Sequence, residues 1–314
     1  MINTKLLEGL FNKEKRSIAR LISIIELEDE LSFEYLKKIH SRTGNAYRIG
    51  ITGPPGAGKS TITNQISKIY LSQSKSVAII AVDPTSPFTG GALLGDRVRM
   101  NEIGMSEDVF IRSMATRGSL GGLSRKAVDS ADILDAAGFD YIIFETVGVG
   151  QSELDIVKAA DTTLVTLVPE SGDSIQAMKA GLMEIADLFV INKFDRPAAD
   201  NAFMSLQTIL NFRSGEPSDW KPPILKSVAT TNEGIDEIVK TIEEHHSFLL
   251  DNDLFQKKRA EKLKLRIKDI VSERLTQKLW NTKNNNLLEK SLDDILSGKL
   301  SPYELAEDII SKFD

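Results

Sequence analysis

The fold of this chain is decided by residues 53–60, Gly53-Pro54-Pro55-Gly56-Ala57-Gly58-Lys59-Ser60. A glycine, four residues and Gly-Lys-Ser is the spacing of a P-loop. Glycines let the backbone turn so that successive N–H groups point at phosphate, and the helix that follows adds its positive end. We expect Lys59 to neutralise the β- and γ-phosphates and the Ser60 hydroxyl to bind Mg2+. The stretch therefore predicts a site for a nucleoside triphosphate with Mg2+.

The residues on either side of this loop support the prediction. Residues 47–52 resemble a short buried strand, and residues 61–71 have helical spacing with apolar Ile62, Ile66 and Ile69. The alternative is a glycine-rich turn that matches by chance. Strand, loop and helix occur in the required order, which favours the P-loop but does not name the nucleotide.

Composition limits the class of protein. With 41% hydrophobic residues, 314 residues suit one large domain with extensions, and helical spacing in residues 12–26 and from near Ser32 predicts a helical start. The chain has no cysteine and only three histidines, which argues against a transition-metal centre. A net charge of −6 argues against nucleic-acid binding, and no apolar run reaches membrane-spanning length. We expect a cytoplasmic protein that binds neither nucleic acid nor membrane.

Two further apolar runs end in an acidic residue. The run 76–83 ends in Asp83 and the run 139–145 ends in Glu145, which with Gly148 has the acid-x-x-Gly spacing of a phosphate-sensing motif. Ligands bind at the carboxyl ends of parallel strands, so both carboxylates are candidates to reach Mg2+. The alternative for Asp83 is a cap on the turn that follows. The Gly148 N–H is expected to approach the γ-phosphate, which makes residues 146–155 a candidate switch.

Two glycine-rich stretches have the composition of mobile loops. In residues 88–100, Asp96 is a candidate Mg2+ ligand, and Arg97 or Arg99 a candidate phosphate contact, with solvated loop charges as an equal alternative. Residues 112–122 form the second stretch, whose role stays open.

The next strand, within residues 187–195, ends in Asn192-Lys193-Phe194-Asp195, the guanine motif. Guanine presents N1–H and N2–H2 donors side by side, and the Asp195 carboxylate accepts from both. We expect Asn192 either to bond the base or to tie this loop to the P-loop, and the Lys193 stem to lie along the base plane. After the strand 223–227, backbone N–H groups of Ser227, Val228 and Ala229 are candidates to cover guanine O6. These motifs predict a GTP-binding site.

The fold class that follows is α/β: a mostly parallel sheet P-loop GTPase domain flanked by helices, with N-terminal and C-terminal helical extensions. We place the boundaries at 1–45, 46–250 and 251–314. Ras-like GTPases have a water-orienting glutamine directly after the motif glycine, whereas this chain has Val149, with Gln151 two residues further on. We therefore expect slow hydrolysis that a partner stimulates.

The C-terminal segment has helical composition. Its apolar residues from Ala260 to Leu279 stripe a long basic helix, residues 281–286 have the composition of an asparagine-rich linker, and Ser301-Pro302-Tyr303-Glu304 forms a capping box. The exposed stripe favours dimerisation over packing within the chain.

Longer stretches carry a family resemblance. They are GPPGAGKST at 53–61, VDPTSPFTGGALLGDRVRM at 82–100, RGSLGG at 117–122, ETVGVGQSE at 145–153, PESGDSIQAMKAG at 169–181 and NKFD at 192–195. Through them the whole chain resembles the MeaB/ArgK GTPases, accessory proteins of adenosylcobalamin-dependent methylmalonyl-CoA mutase.

The resemblance implies a Mg2+-dependent GTPase that gates adenosylcobalamin delivery to the mutase and protects or rescues it. It also implies a site in which Lys59, Glu145 and Gly148 act in catalysis. The P-loop extended to Thr61 would bind GTP or GDP, and Ser60, Asp83, Asp96 and Glu145 would surround Mg2+. Residues 88–100 and 146–155 would be switches, and residues 169–181 would form a third, partner-sensing switch with Lys179 as a signalling candidate. The resemblance also implies a homodimer formed through the C-terminal helices.

Four alternatives differ in how well they fit the sequence. A nickel-insertion GTPase is disfavoured by the lack of cysteine and the few histidines. A kinase for amino-acid transport proteins conflicts with the guanine motif. A non-catalytic GTP-sensing scaffold and an isobutyryl-CoA-type mutase as client both remain compatible with the sequence.

Overall fold

The computed structural model describes residues 2–27, 30–83, 101–115, 125–146, 152–171, 180–211 and 220–311; at a few positions bordering the gaps, Asp83 among them, it describes the backbone alone. The chain divides into two compact units, Met1–Phe255 and Gln256–Asp314. Among the described residues no helix has the length and apolar character needed to span a membrane.

One sheet organises the first unit. Across the described ranges it has seven parallel strands: β1 (Tyr47–Thr52), β2 (Val77–Asp83), β3 (Val109–Ala115), β4 (Tyr141–Thr146), β5 (Thr162–Leu167), β6 (Leu188–Asn192) and β7 (Ile224–Ser227). Their order is β3-β2-β4-β1-β5-β6-β7. Because the strands are parallel, their carboxyl ends lie at one edge of the sheet. That edge therefore holds the P-loop, Asp83, Glu145, Asn192 and Ser227.

Helices cover both faces of the sheet, which explains why the strands are apolar on both sides. The described helices of the first unit are α1 (Thr4–Phe11), α2 (Lys15–Glu26), α3 (Glu30–Ile39), α4 (Lys59–Ser72), α5 (Asn101–Gly104), α6 (Arg125–Ala136), α7 (Ser152–Ala159), α8 (Ala180–Ile185), α9 (Ala199–Asn211) and α10 (Ile235–Asp251). Helices α4 and α10 share one apolar cluster with β1 and β6. The α/β fold class predicted from the sequence is confirmed.

The N-terminal helices belong to the core of this unit. Leu10 of α1 and Ile18 of α2 are fully buried in the same apolar cluster as Ile80 of β2 and Ile142 of β4. Helix α6 lies in that cluster as well. Residues of the predicted extension therefore complete one face of the sheet.

Two predictions about local structure were wrong. Residues 112–115, assigned to a loop, belong to β3, and the Arg112 guanidinium that masked the strand pattern pairs with Glu26 of α2. The asparagine-rich linker is also absent from the described residues, because helix α12 (Thr282–Leu296) begins within it. The Asn281 side chain accepts from the N–H groups of Lys283 and Asn284, so this asparagine starts a helix.

The C-terminal helices bear out the predicted stripe. Helix α11 (Leu254–Leu279), described throughout, has no buried side chain, and Leu263, Ile267 and Val271 are about half exposed. In the second unit α12 is followed by α13 (Pro302–Ser311). The capping box is present, since the Ser301 N–H donates to Glu304 Oε2 over 2.8 Å and the Glu304 N–H to Ser301 Oγ over 3.1 Å.

Candidate nucleotide-binding site

The P-loop connects β1 to α4 through three glycines with positive φ. Gly53, Gly56 and Gly58 have φ of 135°, 75° and 89°. A Cβ on Gly53 would lie 2.0 Å from the carbonyl oxygen of Thr166 on β5, and one on Gly58 would lie 2.2 Å from Asn192 Nδ2. These two positions therefore require glycine for space as well as for conformation.

The two side chains expected to contact phosphate and Mg2+ stand at the start of α4. The ammonium of Lys59 donates to the carbonyl oxygens of Gly53 at 2.8 Å and Pro54 at 2.9 Å, and the side chain is buried. The hydroxyl of Ser60 donates to Glu145 Oε1 at the end of β4. The Lys59 ammonium is thus bonded to two carbonyl groups of the loop, and the neighbouring Ser60 hydroxyl is in direct contact with the Glu145 carboxylate.

This oxygen pair fits the predicted metal. Hydroxyl and carboxylate oxygens are donors that Mg2+ prefers, and Mg2+ completes its shell with phosphate oxygens and water. Asp83 ends β2, whose Val82 is paired with Thr146 of β4, so its backbone lies beside the Glu145 strand end. Within the described ranges there is no cluster of three or more metal-binding side chains. The Asp83 side chain and all of Asp96 lie outside those ranges.

Several predicted elements also fall outside the described residues. They are the candidate switch 88–100, Gly148 with Val149 and Gln151, and Lys179 with most of 169–181. Their predicted roles stay predictions.

The Asn192 carboxamide joins the guanine motif to the P-loop. Its Nδ2 donates to the Ala57 carbonyl at 2.9 Å, while its Oδ1 accepts from Ser227 Oγ at 3.2 Å and from the Ala229 N–H at 3.0 Å. The side chain is buried. Of the two roles considered for Asn192, the structure has the one that ties the loops together.

Lys193 and Asp195 lie on the outside of the same turn. Lys193 has a φ of 58° and donates from Nζ to the Gly56 carbonyl at 2.8 Å, which places its stem across the P-loop. Asp195 is exposed. Among the described residues none forms a hydrogen bond or ion pair with its carboxylate. The carboxylate is therefore available for the base donors that the motif predicts.

The segment predicted to cover guanine O6, residues 227–229, is held by the guanine motif and by the P-loop helix. The Val228 N–H donates to the Glu233 carbonyl at 3.1 Å, and the Ala229 N–H is the donor to Asn192. Gln65 of α4 donates from Nε2 to the Ala229 carbonyl at 3.2 Å. The structure thus brings residues 227–229 beside the P-loop helix and the guanine motif, with two of the N–H groups predicted to cover O6 engaged within the protein.

A buried ionic cluster near the start of β1 was missed from the sequence. Arg48 of β1 pairs with Asp132 at 2.8 Å and Asp135 at 3.2 Å on α6. Burial opposes the charge of Arg48, but these carboxylates outweigh it and raise its pKa. Asp135 also accepts from the N–H groups of residues 44–46, which enter β1. An arginine inside an apolar strand was the available signal, since a buried charge needs a partner.

A second buried polar chain includes a histidine. His245 of α10 is fully buried, with Nδ1 2.7 Å from Thr162 Oγ1 and Nε2 3.3 Å from Asp187 Oδ1. Thr162 also contacts the hydroxyl of Tyr47, whose pKa burial raises. These contacts join α10 to β1 and β5. No sequence motif indicated them, because the partners are far apart along the chain.

Comparison with known proteins gives matches along nearly the whole chain. The family model described as "Methylmalonyl Co-A mutase-associated GTPase MeaB" matches residues 18–284. A Pyrococcus abyssi protein named as a GTPase is 45% identical over 310 residues, 98% of this chain and 96% of that protein. The mitochondrial methylmalonic aciduria type A homolog of Caenorhabditis elegans is 30% identical over 330 residues, 98% of this chain and 82% of that protein. The crystal structure of an LAO/AO transport system kinase matches with a TM-score of 0.73 at 28% identity, covering 99% of this chain and 98% of that one.

Proposed function

Because the chain belongs to the family of methylmalonyl-CoA mutase-associated GTPases, MeaB, we propose that it is a GTP-hydrolysing switch protein serving an adenosylcobalamin-dependent acyl-CoA mutase. The proposed client is methylmalonyl-CoA mutase. The switch gates the delivery of adenosylcobalamin to this enzyme and protects or reactivates it. The proposal has a nucleotide part and a partner part, which rest on different observations.

The observation that carries the nucleotide part is the hydrogen bond from Asn192 Nδ2 to the Ala57 carbonyl. It sets the guanine motif and the phosphate loop side by side, as the binding of base and phosphates of one nucleotide requires. In this assignment the P-loop N–H groups and Lys59 bind the phosphates. Asp195 accepts from guanine N1–H and N2–H2, which adenine does not offer. The site therefore selects GTP over ATP.

Hydrolysis is assigned to the edge of β4. Ser60, Asp83, Asp96 and Glu145 would hold Mg2+, which supplies positive charge to the phosphate oxygens when bound. Lys59 stabilises charge that develops on the γ-phosphate, and the Gly148 N–H senses whether that phosphate is present. Since Val149 stands where Ras-like proteins have glutamine, turnover is slow until a partner completes the site.

The partner part is supported by the description of the family and by the name of the C. elegans relative. Exposed apolar side chains along α11 support a homodimer formed through the segment 251–314. Residues 1–45 are proposed as an extension that packs on the GTPase domain 46–250.

A nucleotide-dependent pull-down tests the proposal. The tagged protein is incubated with an extract of its native cells in a non-hydrolysable GTP analogue, and in parallel in GDP. Retention of a cobalamin-dependent mutase subunit that differs between the two nucleotides is expected. A Lys59→Ala variant is the control, because it lacks the ammonium that binds the triphosphate and should retain equal amounts in both. Retention by the wild-type protein that ignores the nucleotide would contradict a switch.

A further inference from the structure

Lys226 of β7 has its ammonium between two aromatic rings and a carboxylate. Its Nζ lies 4.3 Å from the ring centroid of Phe194 and 4.6 Å from that of Phe203. It also lies 3.5 Å from Asp200 Oδ1. Phe194 belongs to the guanine motif, while Phe203 and Asp200 lie on α9. One cation thus joins β7, the guanine motif and the helix that follows it.

The backbone of the guanine motif is also attached to β7. The Phe194 N–H donates to the carbonyl of Ser227, the neighbour of Lys226, over 3.0 Å. Phe194 is therefore fixed to β7 through its main chain and its ring. Since Asp195 is the next residue, the position of its Cα depends on this attachment.

The far side of Asp195 is also anchored. The Arg196 N–H donates to the Lys193 carbonyl over 3.0 Å, which closes the turn, and Arg196 Nη1 pairs with Glu170 Oε1 at 2.5 Å. This hydrogen bond holds the pKa of Glu170 below its ordinary value. Both neighbours of Asp195 are thus attached to other residues of the unit.

We propose that Lys226 is a positioning residue for guanine recognition: its contacts with Phe194 and Phe203 hold the turn that presents the Asp195 carboxylate to the base. This rests on the proposed guanine-nucleotide function of the site and names a residue outside the four-residue motif. Accepting from both guanine donors requires a defined carboxylate orientation, because hydrogen bonds weaken steeply with angle. A turn that moves would lose the second hydrogen bond before the first.

Hypoxanthine is the probe for that second bond, since it keeps N1–H and lacks the 2-amino group of guanine. The experiment measures the dissociation constants of GDP and of inosine diphosphate by calorimetry for the wild-type protein, Lys226→Met and Lys226→Arg. Methionine keeps the apolar stem and removes the cation. Arginine keeps a cation that stacks on aromatic rings.

We expect Lys226→Met to weaken GDP binding about three- to tenfold, as loss of cation–π contacts at an exposed site implies, and to affect inosine diphosphate less. The ratio of the dissociation constant of inosine diphosphate to that of GDP should therefore fall. Lys226→Arg should keep this ratio near that of the wild type, because arginine keeps the cation. Lys240→Met is the matched control, because Lys240 is an exposed lysine paired with Glu244 at 3.6 Å on α10, and its ratio should equal that of the wild type.

A fold defect is separated from a positioning defect by a second variant. Phe203→Leu keeps an apolar side chain on α9 and removes one ring from the ammonium, so it should lower the ratio in the same direction. A wild-type ratio in both Lys226→Met and Phe203→Leu would overturn the role of Lys226. A wild-type protein that does not prefer GDP to inosine diphosphate would instead contradict the guanine site itself, and the positioning role with it.

Discussion

Replacing Gly58 by alanine tests how the phosphate loop and the guanine motif are joined. Gly58 has a φ of 89°, and a Cβ at this position would lie 2.2 Å from Asn192 Nδ2. The amide has no space to retreat, because Asn192 is 2% exposed and held by three hydrogen bonds. The substitution therefore combines backbone strain with displacement of a buried side chain.

The magnitude follows from those two effects. A left-handed conformation costs a non-glycine residue about 1–2 kcal/mol. Leaving a buried donor or acceptor unsatisfied costs about 1–3 kcal/mol. We expect Gly58→Ala to lower the free energy of unfolding by about 2–5 kcal/mol, and to weaken guanine-nucleotide binding because the guanine motif shifts away from the P-loop.

Gly56→Ala is the matched control in a urea-unfolding assay. Gly56 also has a positive φ, 75°, but a Cβ there would meet nothing within 4 Å. Gly56→Ala should therefore lower the free energy of unfolding by the backbone strain alone, about 1–2 kcal/mol. In an Asn192→Ala background the extra cost of Gly58→Ala should disappear, because the clashing amide is gone. Equal losses for Gly58→Ala and Gly56→Ala in the wild-type background would contradict the predicted clash with Asn192.

Three further predictions concern single side chains. Lys59→Ala should abolish tight binding of a GTP analogue, measured by calorimetry, and unchanged affinity would contradict the phosphate assignment. Asp195→Asn should remove two charge-assisted hydrogen bonds of about 1.5–3 kcal/mol each and so reduce the preference for GTP over ATP by orders of magnitude; an unchanged preference would contradict the guanine assignment. Burial raises the pKa of Asp140, but bonds from the Ser76 N–H and hydroxyl outweigh it and leave that pKa lowered. The stability that this carboxylate contributes is present above its ordinary pKa of about 3.9 and is lost as the pH falls through the folded pKa. Asp140→Asn should therefore reduce the loss of unfolding free energy at acid pH, measured by urea unfolding. An unchanged pH dependence of that free energy would contradict the role of Asp140.

Much of the fold was predictable because it depends on local pattern. Strands such as β2 and β6 are apolar up to their last residue, and the P-loop fixes the turn between β1 and α4. The resemblance to MeaB GTPases is confirmed by the family match. Strand β3 was missed because Arg112 interrupts its apolar run, and the charge is satisfied by Glu26, 86 residues away. Local pattern carries no information about such a partner.

The site was predictable in its motifs and less so in its contacts. Glycine spacing placed Lys59 and Ser60, but two roles for Asn192 were equally compatible with the sequence. The choice depended on where Ala57 and Ala229 lie in space, which the packing of β6 against β5 and β7 decides. The Lys226 contacts had no sequence signal for the same reason, since Phe194, Phe203 and Lys226 come together through three separate elements.

We propose that a cobalamin-dependent mutase operates this GTPase. The most direct test is the steady-state rate of GTP hydrolysis by the purified protein, with and without purified methylmalonyl-CoA mutase, using Lys59→Ala as the inactive control. We expect a slow rate that rises when the mutase is added, and no hydrolysis by the variant under either condition. Fast turnover without the mutase, or a rate that the mutase leaves unchanged, would contradict it.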